Sequence, residues 1–175
     1  MRMRLCNFCV KSGILCQKCE EKIRTGDISD TYIKIAKLLI KLEDKYTSIQ
    51  KIFLNNVYNV DNIVAIAVGY GDSAKLLASR GQILRDLSNS VRKRIRVFEE
   101  SGDVRKFLED LFMPTKILAI NTIWLPDGST ETRVVLPGRP RRLSLSRDVL
   151  KELAEKIRGI TLRITFEDQD ERYYS

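Results

Sequence analysis

Apolar residues recur at helical spacing from Ser29 onward: Ile33, Ala36, Leu39, Ile40 and Leu42 form one stripe, with Lys34, Lys37 and Lys41 on the other side. Ser29 or Asp30 can cap this helix, which is predicted to run to about Lys45 and to cover a sheet. From Ile49 the period changes. Ile52-Phe53-Leu54 and Val57-Tyr58, then Ile63 to Val68, read as two strands around an Asn/Asp-rich connection, the second with too little polar alternation for an exposed face. Gly69-Tyr70-Gly71-Asp72 punctuates the chain. Asp72 or Ser73 is predicted to cap a short helix, Ala74 to Leu77. After the break Ala78-Ser79-Arg80-Gly81, a second helix runs from Gln82 to about Arg92, and Ile95 to Phe98 is a strand.

That order partly recurs. Asp103 to Phe112 reads as a helix stopped by Pro114. Lys116 to Leu125 and Thr130 to Leu136 read as a hairpin across Pro126-Asp127-Gly128-Ser129. Ser144 or Ser146 caps a helix to about Arg158, and Ile160 to Phe166 is a strand. Where the first unit has a short helix and a tight loop, the second has only Pro137-Gly138-Arg139-Pro140-Arg141-Arg142. The expected division is 1–26, 27–101, 102–167 and an acidic tail, 168–175.

All four cysteines fall in one segment, Cys6-x2-Cys9-x6-Cys16-x2-Cys19, and the chain has no histidine. Two C-x-x-C knuckles supply four thiolates, the complete tetrahedral shell of one structural Zn²⁺. A closed shell leaves no position for water or substrate, so such a metal organises structure. Two disulfides or plain reduced thiols are the alternatives. No secretory signal precedes the cysteines and no apolar run is long enough to span a membrane, so a cytoplasmic protein is expected.

Charge changes the picture further. The chain carries +8 overall, with +4 in residues 1–26, zero in 27–78, +6 in 79–147 and −2 in 148–175. An excess confined to two segments suits a polyanion, above all nucleic acid, although a basic surface kept for solubility reads the same way. Enzymatic chemistry finds little support. Without histidine the usual Ser–His, Cys–His and metal–His arrangements are missing, and no phosphate-binding glycine loop of the Walker type is present. A protein that is not an enzyme is expected.

Val68-Gly69-Tyr70-Gly71-Asp72-Ser73-Ala74-Lys75-Leu76-Leu77-Ala78-Ser79-Arg80-Gly81-Gln82-Ile83-Leu84 resembles the core of a KH domain of the type II topology, continued by Val91 to Val97. Phe107 to Leu118 resembles the junction between tandem KH domains of archaeal NusA-like proteins. Leu5 to Cys16 resembles the zinc-knuckle extension of some members. The likeness is strongest over 5–45 and 64–118 and weak after Leu136. It implies an α+β protein with an N-terminal zinc knuckle followed by two type II KH-like domains, three-stranded sheets covered by helices, the second degenerate.

The resemblance implies non-catalytic RNA binding and a role in transcription elongation or termination. The family's GxxG loop grips a few single-stranded nucleotides through close backbone approach and a helix amino terminus. Here Ala78-Ser79-Arg80-Gly81 keeps the second glycine and replaces the first, so the clamp requires a backbone at Ala78 that tolerates a methyl group. Candidate RNA contacts are Lys75, Ala78, Ser79, Arg80, Gly81 and Arg85, with Arg139, Arg141 and Arg142 in the second unit. Ile83 and Leu84 line either a groove or the core. The run Arg92-Lys93-Arg94-x-Arg96 is either an RNA contact or a solvated helix end. Arg2, Arg4, Lys11 and Lys18 of the knuckle offer a further contact, or a docking surface for RNA polymerase or a ribosomal subunit. A ribosome-associated or ribosome-assembly protein on rRNA, and a degenerate KH scaffold acting as a protein adaptor, are the other two readings.

Overall fold

The computed structural model describes residues 1–100, 103–138 and 143–167. Helices and strands alternate in two compact units, Met1–Ser101 and Gly102–Ser175. In unit 1, β1 (Arg2–Met3) precedes two short helices, α1 (Asn7–Ser12) and α2 (Gln17–Arg24), and then α3 (Asp30–Leu42). Ser29 caps α3 by accepting from the amide of Tyr32 at 3.2 Å. Its buried face is Tyr32, Ile35, Ala36 and Leu39; of the expected stripe only Ala36 and Leu39 are fully buried, while Ile33, Ile40 and Leu42 are half-buried against the core.

Three further strands follow: β2 (Phe53–Val60), β3 (Ile63–Val68) and, after α4 (Ser73–Leu77) and α5 (Gln82–Val91), β4 (Arg94–Glu99). The sheet runs β1-β2-β3-β4, with β2 antiparallel to β3 and β4 parallel to it. All six residues of β3 are buried, which accounts for its unbroken apolar sequence. The strand β2 extends through Asn59 and Val60, which the sequence reading assigned to the connection. Asp61 instead makes the turn with a φ of 47°, a conformation Asp tolerates better than most side chains.

Residues 1–26 share the core of unit 1. Leu5, Cys9, Val10 and Cys19 are buried in one cluster with Ile28, Tyr32, Leu39 and Ile66. Tyr32 fastens the segment further: its hydroxyl accepts from the amide of Arg4 and donates to the carbonyl of Leu54, both at 2.9 Å.

Unit 2 follows a similar path. It comprises α6 (Val104–Phe112), β5 (Ala119–Trp124), β6 (Thr130–Leu136), α7 (Arg147–Arg158) and β7 (Leu162–Phe166). The sheet order is β5-β6-β7, antiparallel then parallel. The β5–β6 turn forms where expected, with the Asp127 carboxylate accepting from Ser129 N–H at 2.9 Å. Ser146 caps α7; the hydroxyl of Ser144 donates to the carbonyl of Met113. Phe107, Leu111, Phe112, Leu150, Leu153 and Phe166 are buried in this unit. Arg139, Arg141 and Arg142, and the acidic tail 168–175, lie outside the described residues.

Candidate metal centre and hinge

Each C-x-x-C pair is built the same way. Cys6 and Cys16 occupy the position before the first turn of α1 and α2 in extended backbone, and Cys9 and Cys19 stand three residues on, inside the helix. This brings both sulfurs of a pair to one helix start. The two halves interlock: the amide of Cys6 donates to Cys19 Sγ at 3.4 Å, and that of Cys16 to Cys9 Sγ at 3.3 Å.

The four sulfurs lie within 4.8 Å of one another, and Cys6 and Cys16 Sγ are 3.9 Å apart. A tetrahedral shell with metal–sulfur bonds of about 2.3 Å has edges of about 3.8 Å, so the donor set fits one ion. All four thiols are free in this structure. The Cys16 thiol is pushed down to about 7, first because the backbone N–H of Cys19 donates to it. Helix starts favour thiolate, the form that binds metal. Burial pushes the Cys19 thiol up.

The second candidate site is the break between α4 and α5. Ala78 has φ −55° and ψ 171°, an extended backbone open to any residue. Ser79, Arg80 and Gly81 then have φ of 56°, 54° and 74°. Only the last of the two glycine positions of the GxxG pattern therefore needs glycine here, and the methyl group of Ala78 meets no backbone conflict. Two consecutive non-glycine residues held left-handed cost roughly 1–2 kcal/mol each. Strain of this kind gathers where a segment is held for binding.

The hinge faces solvent. Ser79 and Arg80 are exposed, and a β-carbon added to Gly81 would meet nothing within 4 Å. The Gly81 amide is used internally, donating to the carbonyl of Ala78 at 3.2 Å. No side chain caps α5. The Gln82 amide, which opens the helix, is also used internally, donating to the carbonyl of Ser79. The other first-turn amides have no partner further back in the helix and lie at the positive end of its dipole.

At the start of α4 a polar brace replaces the expected cap. Asp72 precedes α4 but makes no side-chain cap; its buried carboxylate accepts from the amide of Phe53 at 2.8 Å and pairs with Lys75 at 2.6 Å. The ammonium of Lys75, close to the hinge in sequence, is already engaged by this carboxylate. Ser73 donates to the buried carboxylate of Glu99. A β-carbon on Gly69 would sit 2.9 Å from Asp72 Oδ2, so glycine there is what lets the carboxylate reach β2.

The other sequence candidates separate. Arg85 is exposed on α5, close to the hinge in sequence. Ile83 is fully buried and Leu84 packs against the core, so Ile83 is not a groove residue. Lys93 is tied to Asn59 Oδ1 and to the carbonyl of Asp61, both at 2.7 Å. Arg96 is half-buried, and that burial, with Arg94 beside it, lowers its affinity for a proton. Arg4 pairs with Asp27 at 2.9 Å, whereas Arg2, Lys11 and Lys18 are exposed. Sequence reasoning missed two exposed apolar side chains flanking α4, Tyr70 and Leu77. Placement of Tyr70 between two glycines was the available signal. Among the described residues no helix is long and apolar enough to cross a membrane.

No protein-family model matches the chain, and no curated protein matches it. Among solved structures the chain is similar to the protein of "Crystal structure of APE1850", with a TM-score of 0.50 and 17% identity over 73% of this chain and 96% of that one. At that identity the likeness concerns the fold alone.

Proposed function

We propose that this chain is a non-catalytic RNA-binding protein of the archaeal NusA-like kind, with a structural zinc knuckle and two type II KH-like units. The single observation that carries this reading is the exposed left-handed hinge Ser79-Arg80-Gly81 feeding the uncapped amino terminus of α5. Such a backbone offers amide donors and a helix dipole to a phosphate, while Arg80 and Arg85 supply charge at the same end of the helix. The path helix, antiparallel pair, two helices, parallel strand supports the KH-like assignment of unit 1. Among the described residues unit 2 repeats it with one helix fewer, which supports a degenerate second copy. A shell of four cysteines suits zinc and a reducing, cytoplasmic setting. The role in transcription elongation or termination rests on the resemblance.

The test pairs binding with capture. In the double variant Ser79→Asp, Arg80→Asp both changes lie on exposed positions, and Asp accepts the left-handed backbone. Its affinity for a single-stranded RNA should fall about tenfold or more, equivalent to about 1.4 kcal/mol. Wild-type affinity in this variant contradicts the proposal. Crosslinking in native lysate then separates roles: nascent transcripts support the transcription role, rRNA favours a ribosomal one, and no RNA favours a protein adaptor.

A further inference from the structure

The solvent face of α3 is a lysine ridge. Lys34, Lys37 and Lys41 are all exposed and fall within about 60° of arc, over about 10 Å of helix. None has a hydrogen-bond or ion-pair partner among the described residues. Elsewhere in unit 1, Lys45 is paired with Asp86 and Lys75 with Asp72, and Lys22 donates to the carbonyl of Arg4. Like charges three and four residues apart destabilise a helix by about 0.2–0.5 kcal/mol per pair, so the ridge is kept against a cost.

A groove lies on each side of this ridge. One, of about 500 Å³, has an apolar floor of Leu38, Val64 and Val91 and is rimmed by Lys34, Lys37 and Lys93; no carboxylate lines it. The oxygens that hold Lys93 there are an amide and a carbonyl, not carboxylates. The other, of about 480 Å³, runs between α3 and the knuckle and carries Lys11, Lys37 and Lys41. Glu43 and Asp44 also line it, but Glu43 is neutralised by the amino-terminal ammonium. Lys37 belongs to both grooves, so five ammonium groups follow one continuous track.

This track is separate from the hinge. Val91, at its edge, is the last residue of α5, about 15 Å along the helix from the residue that follows Gly81. We propose that the α3 ridge and its two grooves form a second binding track for the phosphate backbone of a single RNA strand, reaching from Lys93 to Lys11 of the knuckle. Charge complementarity selects the occupant: unpaired ammonium groups over several phosphate spacings, with hydrophobic floor between them. The choice of RNA rests on the function proposed above.

The experiment uses the full chain loaded with zinc and a fluorescent single-stranded RNA, titrated between about 50 and 200 mM salt. The triple variant Lys34→Gln, Lys37→Gln, Lys41→Gln should bind more weakly at low salt. Its slope of log affinity against log salt should be shallower by about 2, from about 0.7 per lost contact. An off-track control, Lys51→Gln with Lys151→Gln, should change the slope little, and circular dichroism checks that each variant is folded. A ridge variant with wild-type slope and affinity overturns the track, and if the hinge variant loses binding in the same assay the proposed function still stands. A ridge variant that loses slope while the hinge variant binds normally supports the track and overturns the hinge as the clamp. Ridge-dependent binding of polyglutamate or anionic vesicles with no binding of RNA overturns both.

Discussion

Unit 1 and unit 2 cross from their last-but-one strand to their last with the same number of residues and make different things of them. Both crossovers span 25 residues, 69–93 and 137–161. Unit 1 divides its crossover into two helices with a left-handed hinge between them; among the described residues of the unit 2 crossover there is the twelve-residue helix α7, and the sequence before it is rich in proline and arginine. Proline removes an amide donor, so that segment has fewer backbone groups to offer an anion than the hinge of unit 1. The sheet topology sets where a crossover must begin and end, and residue chemistry decides what backbone it presents in between. Unit 1 alone also carries the cysteine segment, whose buried side chains enlarge its core.

The comparison can be broken most forcefully at the metal. Zinc removal by a chelator, or Cys9→Ser with Cys19→Ser, should lower the unfolding transition of unit 1 strongly and leave that of unit 2 in place. Structural zinc sites supply up to about 10–16 kcal/mol of apparent binding energy in small peptides. Calorimetry together with metal analysis, expected to give one ion per chain, checks this; equal shifts in both units would refute it.

Gly69→Ala comes next. Its β-carbon would lie 2.9 Å from Asp72 Oδ2 and 3.4 Å from Phe53 Cβ, so the brace at the start of α4 must move. Overpacking of this sort costs about 1–3 kcal/mol, read as a lowered denaturation midpoint for unit 1 alone.

A smaller effect distinguishes the two ends of the hinge. Gly81→Ala forces a side chain onto a φ of 74° and should cost about 1 kcal/mol. RNA binding should weaken with it. Ala78→Gly relieves no strain, since φ is already negative, and should change stability by about 0.4–1 kcal/mol downward through added freedom of the unfolded chain. RNA affinity in the second variant should stay near wild type.

The smallest expected effect concerns pH. The Lys45 ammonium, and then the Tyr46 hydroxyl, hold the Asp86 carboxyl below its ordinary range, and Asp86 raises Lys45 in return. A depressed carboxylate stabilises the fold above its unfolded value, about 3.9, and loses that contribution as pH falls through the lower folded value. A raised lysine contributes below about 10.4 and loses its share as pH rises through the folded value. The melting temperature of wild type should therefore exceed that of Asp86→Asn by a constant margin between about pH 5 and 9, closing in acid.

Local chemistry made much of this molecule readable from sequence. The two knuckles, the stripe of α3, the Pro126-Asp127-Gly128-Ser129 turn and the break at Ala78–Gly81 each stand where residue type and spacing put them. Long-range pairing was harder to read. The two-residue strand β1 has no period to betray it, and only its parallel register with Phe53 and Leu54 defines it. Asp72 reads as a cap in one dimension, yet its carboxylate is drawn to an unpaired amide on β2. The lysines of α3 were legible from their spacing, but the zero net charge of residues 27–78 gave no sign that they stand unpaired: Asp27 and Glu43 are taken up by cations from outside the segment, Arg4 and the amino-terminal ammonium. What remains is a positive face in a neutral segment.

The most direct test follows the backbone amides of ¹⁵N-labelled protein while single-stranded RNA is added. The account predicts that the signals of Ser79, Arg80 and the first turn of α5 move early and together, ahead of those in unit 2. Signals at the hinge that stay still while RNA binds elsewhere would contradict it.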